Sequence, residues 1–433
     1  MKTHDSDNPN KAAARAGALL VLACSMVSSG CGTGGGGKAS GSASASAEVA
    51  PSASSAGAVS SAPPLDDKPG APAVTTFVMA DKPESGCSPA RFDIAQNLLR
   101  GELTLAGRPG GGSGEIAASW LIQLQNKAQI GFSGFDGDAK RLARDRGIGN
   151  AREHEPHLFT PGGVWTVVWF DVEGLAYARP VWDAQPAPTI EHLSPLKDVN
   201  PADVAFAATP GGALVVASPF ATQGDQLSLF LFASTTDGQK PSALGKTKSG
   251  KKPRSPAVAA DAAGYTVAWV EEDGHIEAAR FDAEGNLQGG ATAVARPAQR
   301  TSLVAASIDG GTFLVWVEDG SVYGRVLGPD GKPKSSVFTV GKGKDPILVS
   351  AGADAILGYV GEAEGAADQM LAVRVSASGP SATAIRLSDS KVLDPPAAAV
   401  AGPKLAFAWT EVMNPLMSAK RAVMKTVVAT CLK

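Results

Sequence analysis

The chain has little of several features from which a function is usually inferred. Its 433 residues include four cysteines, five histidines and 19% charged residues, and the formal net charge is −3. So small a net charge creates no field that would recruit nucleic acid, and no nucleic-acid partner is predicted. A histidine-based catalyst has few candidates, because one of the five histidines lies in the first few residues.

Catalytic signatures are also missing. The sequence contains no nucleophile elbow, no P-loop and no His-Glu-x-x-His pattern, and we predict neither a metal nor another cofactor. A catalytic triad is recognised by geometry and cannot be read from composition. A pair of catalytic carboxylates for glycoside hydrolysis remains an alternative, because 42 acidic residues are scattered through the chain.

The N-terminal segment, residues 1–31, has the pattern of an export signal. Lys11 and Arg15 precede an apolar run, residues 16–23, that is too short to span a bilayer. The run ends in Val-Leu-Ala-Cys24, which resembles the lipobox of bacterial lipoproteins, and the resemblance implies that Cys24 is acylated after cleavage. Cys31, after Ser-Ser-Gly, is a second candidate. The alternative is an ordinary signal peptide with incidental cysteines.

Residues 32–73 are mostly glycine, serine, alanine and proline. Such a segment buries too little apolar surface to offset its ordering entropy, so we predict a disordered, flexible tether. Its span would be on the order of 35–40 Å. Together with a lipid at Cys24, the tether predicts an exported protein of a Gram-negative-type cell envelope. We expect it to be anchored in the outer membrane rather than the inner one.

A sequence pattern recurs along the rest of the chain. In residues 255–287 a proline precedes an apolar run that ends in tryptophan, and a carboxylate, a turn and an arginine follow. The same order returns around seven anchor positions, 120, 169, 217, 269, 316, 359 and 409. Alanine replaces tryptophan at position 217, and tyrosine replaces it at position 359. The anchors are 43 to 52 residues apart.

A period of this length is typical of propeller blades or of helical repeats. Each copy holds short β-branched or alternating runs broken by Asp-Gly, Glu-Gly or Gly-Gly, with no amphipathic helix, which indicates four short strands. We therefore predict an all-β fold for residues 74–433, a seven-bladed β-propeller, with six or eight blades as alternatives. The repeat resembles other propellers only in architecture, because WD40, kelch and Asp-x-Asp-x-Asp-Gly motifs are missing.

The recurring residues are interpreted as the internal scaffold of a blade. The apolar run would be the second strand, and the carboxylate two residues later would lie on the same side of it. An arginine on the third strand could then pair with that carboxylate and lie on the indole. The residues concerned are Trp120, Trp169, Trp269, Trp316 and Trp409; Asp171, Glu271, Glu318 and Glu411; and Arg179, Arg280, Arg325 and Arg421.

The ends of the chain must meet if the ring closes. The last copy, from Pro395, holds three strands at most, so we expect the strand-like residues 75–80 to supply the fourth. Cys87 and Cys431 lie near these two ends. An exported protein occupies an oxidising compartment, so a Cys87–Cys431 disulfide is predicted. The alternative is two unrelated thiols.

Two polar loops are candidates for ligand binding. His154 and His157 lie in a loop with two glutamates and could hold a metal, but a solvated polar loop is the favoured interpretation. Lys251, Lys252 and Arg254 belong to a basic loop that could contact an acidic glycan or a lipid headgroup. The plainer interpretation is a loop kept in solvent by its charge.

Two classes of function remain. The first is an envelope-anchored binding or scaffolding module that displays a rigid propeller to a protein or glycan partner. The second is a carbohydrate-active hydrolase or lyase with its site in the propeller channel. Converging carboxylates in the channel would favour the enzyme, whereas small apolar residues would favour binding. The Ala257, Val258, Ala398 and Ala399 positions of the inner strands favour binding.

Overall fold

A computed structural model describes most of the chain from residue 70 onward. The described ranges are 70–98, 103–108, 114–124, 127–152, 156–182, 187–192, 203–209, 213–219, 226–233, 241–246, 253–414 and 419–432. The predicted signal segment, with Cys24 and Cys31, lies outside them. So do residues 32–69 of the predicted tether, and His154, Lys251 and Lys252.

The described residues are almost entirely β-structure. Two strands, β1 (Thr76–Met79) and β2 (Ala90–Leu98), come first, and three single-turn 3-10 helices occupy Pro83–Ser85, Pro161–Gly163 and Ala429–Cys431. Blade 1 follows, with β3 (Leu103–Arg108), β4 (Glu115–Leu124), β5 (Lys127–Asp136) and β6 (Arg146–Ala151). Blade 2 has β7 (His157–Phe159), β8 (Thr166–Asp171), β9 (Gly174–Ala178) and β10 (Ile190–His192). Blade 3 has β11 (Ala205–Ala208), β12 (Ala213–Pro219), β13 (Gln226–Ala233) and β14 (Pro241–Lys246).

The second half of the chain continues the pattern. Blade 4 has β15 (Arg254–Asp261), β16 (Gly264–Val270), β17 (Ile276–Asp282) and β18 (Leu287–Ala295). Blade 5 has β19 (Arg300–Ile308), β20 (Gly311–Glu318), β21 (Ser321–Leu327) and the beginning of β22 (Phe338–Ala351). Blade 6 has the rest of β22, β23 (Asp354–Ala363), β24 (Ala366–Ser376), β25 (Gly379–Pro380) and β26 (Thr383–Arg386). Blade 7 has β27 (Ala397–Ala401), β28 (Lys404–Asn414) and β29 (Ala419–Val428).

The blades close into a ring. Each is an antiparallel sheet in which the first strand is innermost, and the seven first strands contact one another in sequence, with β27 of blade 7 meeting β3 of blade 1. The described residues therefore form a seven-bladed β-propeller, which confirms the predicted fold class. We call the end of the ring where the first strands begin the loop face, and the opposite end the far face.

The strand that closes the ring is not the one predicted from the sequence. Blade 7 receives its outer strand from β2, which pairs antiparallel with β29 in the register Ala90 to Thr426. The predicted segment forms β1 instead, a parallel strand on the outer edge of blade 6 that pairs with β26. The prediction was wrong because residues 90–98, not recognised as a strand, stand between this segment and blade 1 and reach the edge of β29.

The predicted disulfide is present. Cys87 and Cys431 are bonded with a Cα–Cα distance of 4.9 Å across 344 residues of sequence. Cys87 is buried, and it lies between β1 and β2. Two strands and one covalent bond therefore join the N-terminal segment to blades 6 and 7.

The tryptophans of the repeat lie where the sequence analysis predicted them. All five are on the second strand of a blade, and each is at most 3% exposed. Ala217 and Tyr359 hold the same place in blades 3 and 6 and are also buried. Gly131 on the neighbouring strand makes room for one of them, because a Cβ there would lie 2.6 Å from the indole of Trp120. The core thus consists of layers between adjacent blades.

Candidate functional site: the central channel

The channel is bounded by the beginnings of the seven innermost strands. Among the described strands, each of these pairs only with the second strand of its own blade (in β22 this holds for residues 343–351), so its other edge faces the ring axis. An unpaired strand edge presents backbone N–H and C=O groups. The channel therefore has a polar backbone rim even where its side chains are apolar.

A cavity of about 400 Å³ occupies the half of the channel nearer the loop face. All seven blades contribute to its wall. The lining residues are Leu103, Thr104, Leu105, Pro156, His157, Ala205, Phe206, Pro256, Ala257, Val258, Leu303, Val304, Ala305, Ile347, Leu348, Pro395, Pro396, Ala397 and Ala398. Among these described residues there is no acidic or basic side chain other than His157. The size and the mostly apolar side chains are those of a small-molecule site.

His157 is the first residue of β7 and faces this cavity. Its ring centroid lies 4.6 Å from that of Phe206 on blade 3 and 6.5 Å from that of Phe159. Desolvation lowers the pKa of His157 to about 4, so the imidazole is neutral near pH 7. A neutral imidazole offers one hydrogen-bond donor and one acceptor.

A repeated backbone irregularity shapes the loop-face mouth. The first strands of blades 4, 5 and 6 each carry a β-bulge near their start. In each bulge a residue other than glycine has a positive φ, namely Ser255 (45°), Ser302 (56°) and Asp345 (51°). Bulges redirect a strand and the side chains that it carries. Three adjacent blades thus turn into the mouth in the same way.

Charged side chains lie outside the cavity at blades 6 and 7. Nζ of Lys344 lies 3.0 Å from Asp368, which Lys391 also contacts, and Nζ of Lys420 lies 2.8 Å from Asp394. Burial raises the pKa of Asp345, and the nearby carboxylates of Asp368 and Asp394 raise it further. The charge of Lys344 lowers this pKa but does not outweigh the burial. At blades 6 and 7 the uncharged wall of the cavity is therefore bordered by charged side chains.

The predicted ligand residues do not form one cluster. His157 lines the channel, whereas Arg254 lines a separate cleft of about 420 Å³ between blades 4 and 5 on the same face. There its guanidinium donates to the carbonyl of Glu272 at 3.1 Å. His154, Lys251 and Lys252 lie outside the described residues. No group of three histidine, cysteine or acidic residues in the described ranges has metal-binding geometry.

Thr104 and Phe206 are among the lining residues that sequence reasoning missed. The repeat contained information that would have placed part of this wall. The residues directly after the proline of each copy, such as Ala257 and Ile347, line the cavity. Aligning the copies on that proline would have placed His157 on the channel wall, and aligning blade 3 on its first strand would have added Phe206.

The carboxylates of the repeat pair differently from the prediction. Only Glu411 meets the predicted arginine, with Oε2 3.0 Å from Arg421. In blade 7 the second strand continues five residues beyond Trp409, so Glu411 and Arg421 lie directly opposite each other. In blade 5 a tight turn places Ser321 directly opposite Glu318. Arg325 lies four residues further along the third strand, opposite Leu314. The turn length therefore decides which residue faces the carboxylate.

The other predicted pairs are replaced by different partners. Glu318 forms an ion pair with Arg300 at 2.9 Å, and the Arg300 guanidinium lies over the Trp316 ring. Arg325 instead donates hydrogen bonds to the carbonyls of Val294 and Ser335. Arg280 binds Asp261 at 2.6 Å. Asp171 contacts His192 at 2.8 Å, and Arg179 lies 3.9 Å from Glu191. Glu271 accepts from the indole of Trp269 at 2.8 Å.

A second, larger cleft lies between blades 4 and 5 on the far face. Its volume is about 840 Å³, and four aspartates, Asp261, Asp282, Asp309 and Asp330, contribute to its wall. Hydrogen bonds from Asn286 are the main cause of the lowered pKa of Asp282. Asp282 and Asp330 also accept bonds from backbone amides of their own turns, and Asp261 binds Arg280. Asp261, Asp282 and Asp330 therefore each have a hydrogen-bond partner within the fold.

Comparisons with known proteins do not identify a family for this chain. No protein-family model matches the chain, and a search of curated proteins finds no relative. Within the described ranges, no helix has the length and hydrophobicity needed to cross a membrane.

Similar solved structures are propellers at low sequence identity. The Dos1 propeller is 10% identical, with 79% of this chain and 95% of that chain covered, and a TM-score of 0.47. The fucose-binding lectin of Aleuria aurantia, described as six-bladed, is 13% identical, with 66% and 96% covered and a TM-score of 0.41. The WD40 domain of SCAP from fission yeast is 10% identical, with 80% and 98% covered and a TM-score of 0.39.

Proposed function

We propose that this protein is a binding module of the cell envelope that presents the loop face of a rigid propeller to a protein or glycan partner. The observation that carries the proposal is the channel mouth, a cavity of about 400 Å³ with mostly apolar side chains, a free backbone edge and one neutral imidazole. Such a site can hold a partner group, because concave apolar surfaces with a few polar groups are typical binding sites.

The closure of the ring supports this proposal. β2 completes blade 7, β1 extends blade 6, and the Cys87–Cys431 bond ties the two chain ends together. A binding face that is already ordered loses little conformational entropy when a partner binds. The scaffold therefore suits recognition by a preformed surface.

The proposed anchor rests on the sequence. A lipid on Cys24, or on Cys31, followed by a tether over residues 32–73, would hold the propeller near a membrane surface, and we infer the outer membrane of a Gram-negative-type envelope. The proposed partners are then the membrane, through the lipid, and an envelope protein or glycan, through the loop face.

The alternative, a carbohydrate-active hydrolase or lyase, has a stricter geometric requirement. Glycoside hydrolysis by the usual mechanisms needs two carboxyl groups about 5–10 Å apart on either side of the substrate. None of the described lining residues of the channel is acidic. This lining supports the binding proposal.

The test is crosslinking in cells followed by affinity capture, with proteins and polysaccharides analysed separately. The matched variants are Arg254→Glu on the loop face and Lys332→Glu in a far-face turn, both charge reversals of exposed side chains. We expect one dominant partner, recovered about tenfold less with Arg254→Glu and normally with Lys332→Glu. Equal recovery by both variants would contradict a loop-face site, and shortened polysaccharide would instead support the enzyme.

A further inference from the structure

The channel wall excludes charge. No described lining residue carries a formal charge near pH 7, because His157 is the only titratable side chain among them and its pKa is about 4. A charged ligand placed there would lose its hydration without gaining a counterion, which is costly in free energy. The wall therefore selects uncharged ligands.

Two polar side chains of the wall are available to a ligand. The Thr104 hydroxyl and the His157 imidazole belong to the adjacent blades 1 and 2 and line the same cavity. Neither forms a side-chain hydrogen bond with any described residue, and both are half-buried. Polar groups in such surroundings are normally satisfied, so these two can gain partners from a bound molecule.

The wall has two different sides. His157 and Phe206, on blades 2 and 3, form an aromatic side with centroids 4.6 Å apart. Ile347 and Leu348, on blade 6, contribute branched aliphatic side chains across the ring. A flat ring can stack on the aromatic side while the aliphatic side closes over its other surface.

The polar part of the site comes from the backbone. The free edges of β7 and β11 supply N–H and C=O groups beside the aromatic side, because among the described strands each pairs only with the second strand of its blade. Hydrogen-bonding groups around the edge of a bound ring can reach this backbone. Stacking and edge hydrogen bonding are thus available together.

We propose that the channel binds an uncharged ring compound that stacks on Phe206 and hydrogen-bonds to His157, Thr104 and the free strand edges. The volume, about 400 Å³, is at the small end of ligand pockets and fits one or two rings. This inference rests on the proposed binding function and names the chemical class of its ligand. Heteroaromatic rings and neutral sugars both belong to this class of uncharged ring compounds.

The experiment is ligand-observed NMR on the full chain with three matched pairs of probes. The pairs are benzamide with benzoate, indole with tryptamine, and methyl glucoside with glucuronate. We expect at least one uncharged probe to bind, at least about tenfold more tightly than its charged counterpart. Binding of benzamide or indole would identify an aromatic ligand, and binding of methyl glucoside alone would identify a sugar.

Two aromatic truncations provide a matched control. Phe206→Ala removes a lining ring, whereas Phe159→Ala removes a neighbouring ring, 5.8 Å from Phe206, that does not line the cavity. We expect Phe206→Ala to weaken binding about tenfold and Phe159→Ala to leave it within twofold. Thermal unfolding of both variants shows whether a loss of binding follows from misfolding. His157→Gln keeps a hydrogen-bonding group and reports on the imidazole if Phe206→Ala does not fold.

Three results would overturn the inference. The first is that no uncharged probe binds at 10 mM, roughly the weakest affinity that such a site would show. The second is that charged and uncharged probes bind equally well. The third is that the two phenylalanine variants, both folded, change binding equally. The partner capture separates this failure from that of the proposed function. If Arg254→Glu still lowers partner recovery about tenfold while no probe binds, the loop face binds its partner without the channel.

Discussion

The indole Nε1–H of Trp409 donates a 2.9 Å hydrogen bond to Oε1 of Glu411, two residues further along the same strand, and both side chains are buried. Trp269 and Glu271 repeat this bond at 2.8 Å in blade 4. The spacing works because residues two apart point to the same side of a strand. In blades 4 and 7 the tryptophan and the carboxylate of the repeat are thus hydrogen-bonded to each other, whereas the indole of Trp169 in blade 2 donates to the carbonyl of Asn150 instead.

Removing the Glu411 carboxylate is expected to destabilise blade 7. Glu411 also binds Arg91 and Arg421, each at 3.0 Å. Glu411→Ala therefore leaves the Arg421 guanidinium and the Trp409 indole without their acceptor, while Arg91 keeps only its contact with Asp389 at 3.6 Å. We expect a loss of about 3 kcal/mol in the free energy of unfolding, measured by urea denaturation. The exposed Glu362→Ala is the control, with a loss below about 0.5 kcal/mol. Similar losses in the two variants would rule out the buried network.

The same network has a defined pH dependence. Burial would raise the pKa of Glu411, but hydrogen bonds from Trp409 and Ser390 and the charge of Arg91 outweigh it and hold the pKa below its usual value. The contribution to stability is therefore complete above the unfolded-state pKa and is lost as the pH falls through the folded-state pKa. The stability difference between wild type and Glu411→Gln should shrink below about pH 4. A constant difference between pH 7 and pH 3 would contradict this assignment.

Trp269 tests the packing between blades. It is 3% exposed and packs with Val258, Tyr265 and Phe281. We expect Trp269→Ala to cost about 3–5 kcal/mol, as large-to-small changes in cores do. Leu287→Ala, at a position 36% exposed, is the control and should cost less than about 1 kcal/mol. A loss below about 1 kcal/mol for Trp269→Ala would show that the tryptophan lies outside a core.

The Cys87–Cys431 bond should contribute strongly to stability, because it closes a loop of 344 residues. In the chain-entropy model the bond stabilises the fold by on the order of 5 kcal/mol. Cys431→Ser should therefore lower the urea midpoint and should make the protein insensitive to dithiothreitol. The wild type should shift to the midpoint of the variant when reduced. A wild-type midpoint unchanged by complete reduction would argue against this contribution.

His157 should couple folding to pH. Its folded-state pKa is about 4, whereas an unfolded histidine has a pKa of about 6.5. Between these values the unfolded chain binds more protons, so the contribution is full above about pH 6.5 and decreases as the pH falls toward 4, by about 3 kcal/mol at most. Comparing wild type with His157→Gln isolates this term from the carboxylates. If the two proteins lose stability in parallel, the imidazole is not desolvated.

The lipid anchor is tested by fractionation. We expect Cys24→Ser to release the protein from the membrane fraction and to abolish incorporation of labelled palmitate, whereas Cys31→Ser should change neither. The opposite pattern would move the acylation site to Cys31. Release by neither substitution would leave an unlipidated protein.

Several features followed from the sequence alone. Strand-length apolar runs and turn dipeptides at a period near 50 residues indicated a propeller, because stacked blades bury both faces of many short sheets. The same period placed the five tryptophans of the repeat on second strands. The two cysteines indicated the disulfide, because a ring of repeats must bring its ends together.

Other features depended on tertiary structure. The register of each hairpin, set by turn length and by how far the strands extend, decided that Glu411 faces Arg421 while Glu318 binds Arg300. β2 rather than β1 closed blade 7, because the choice depends on which segment reaches the free edge of β29. The channel wall could be assembled only when the ring placed Thr104, His157 and Phe206, on three successive blades, around one axis. Local sequence patterns encode what each strand buries, whereas contacts between residues far apart in the chain are decided by how the blades are arranged in space.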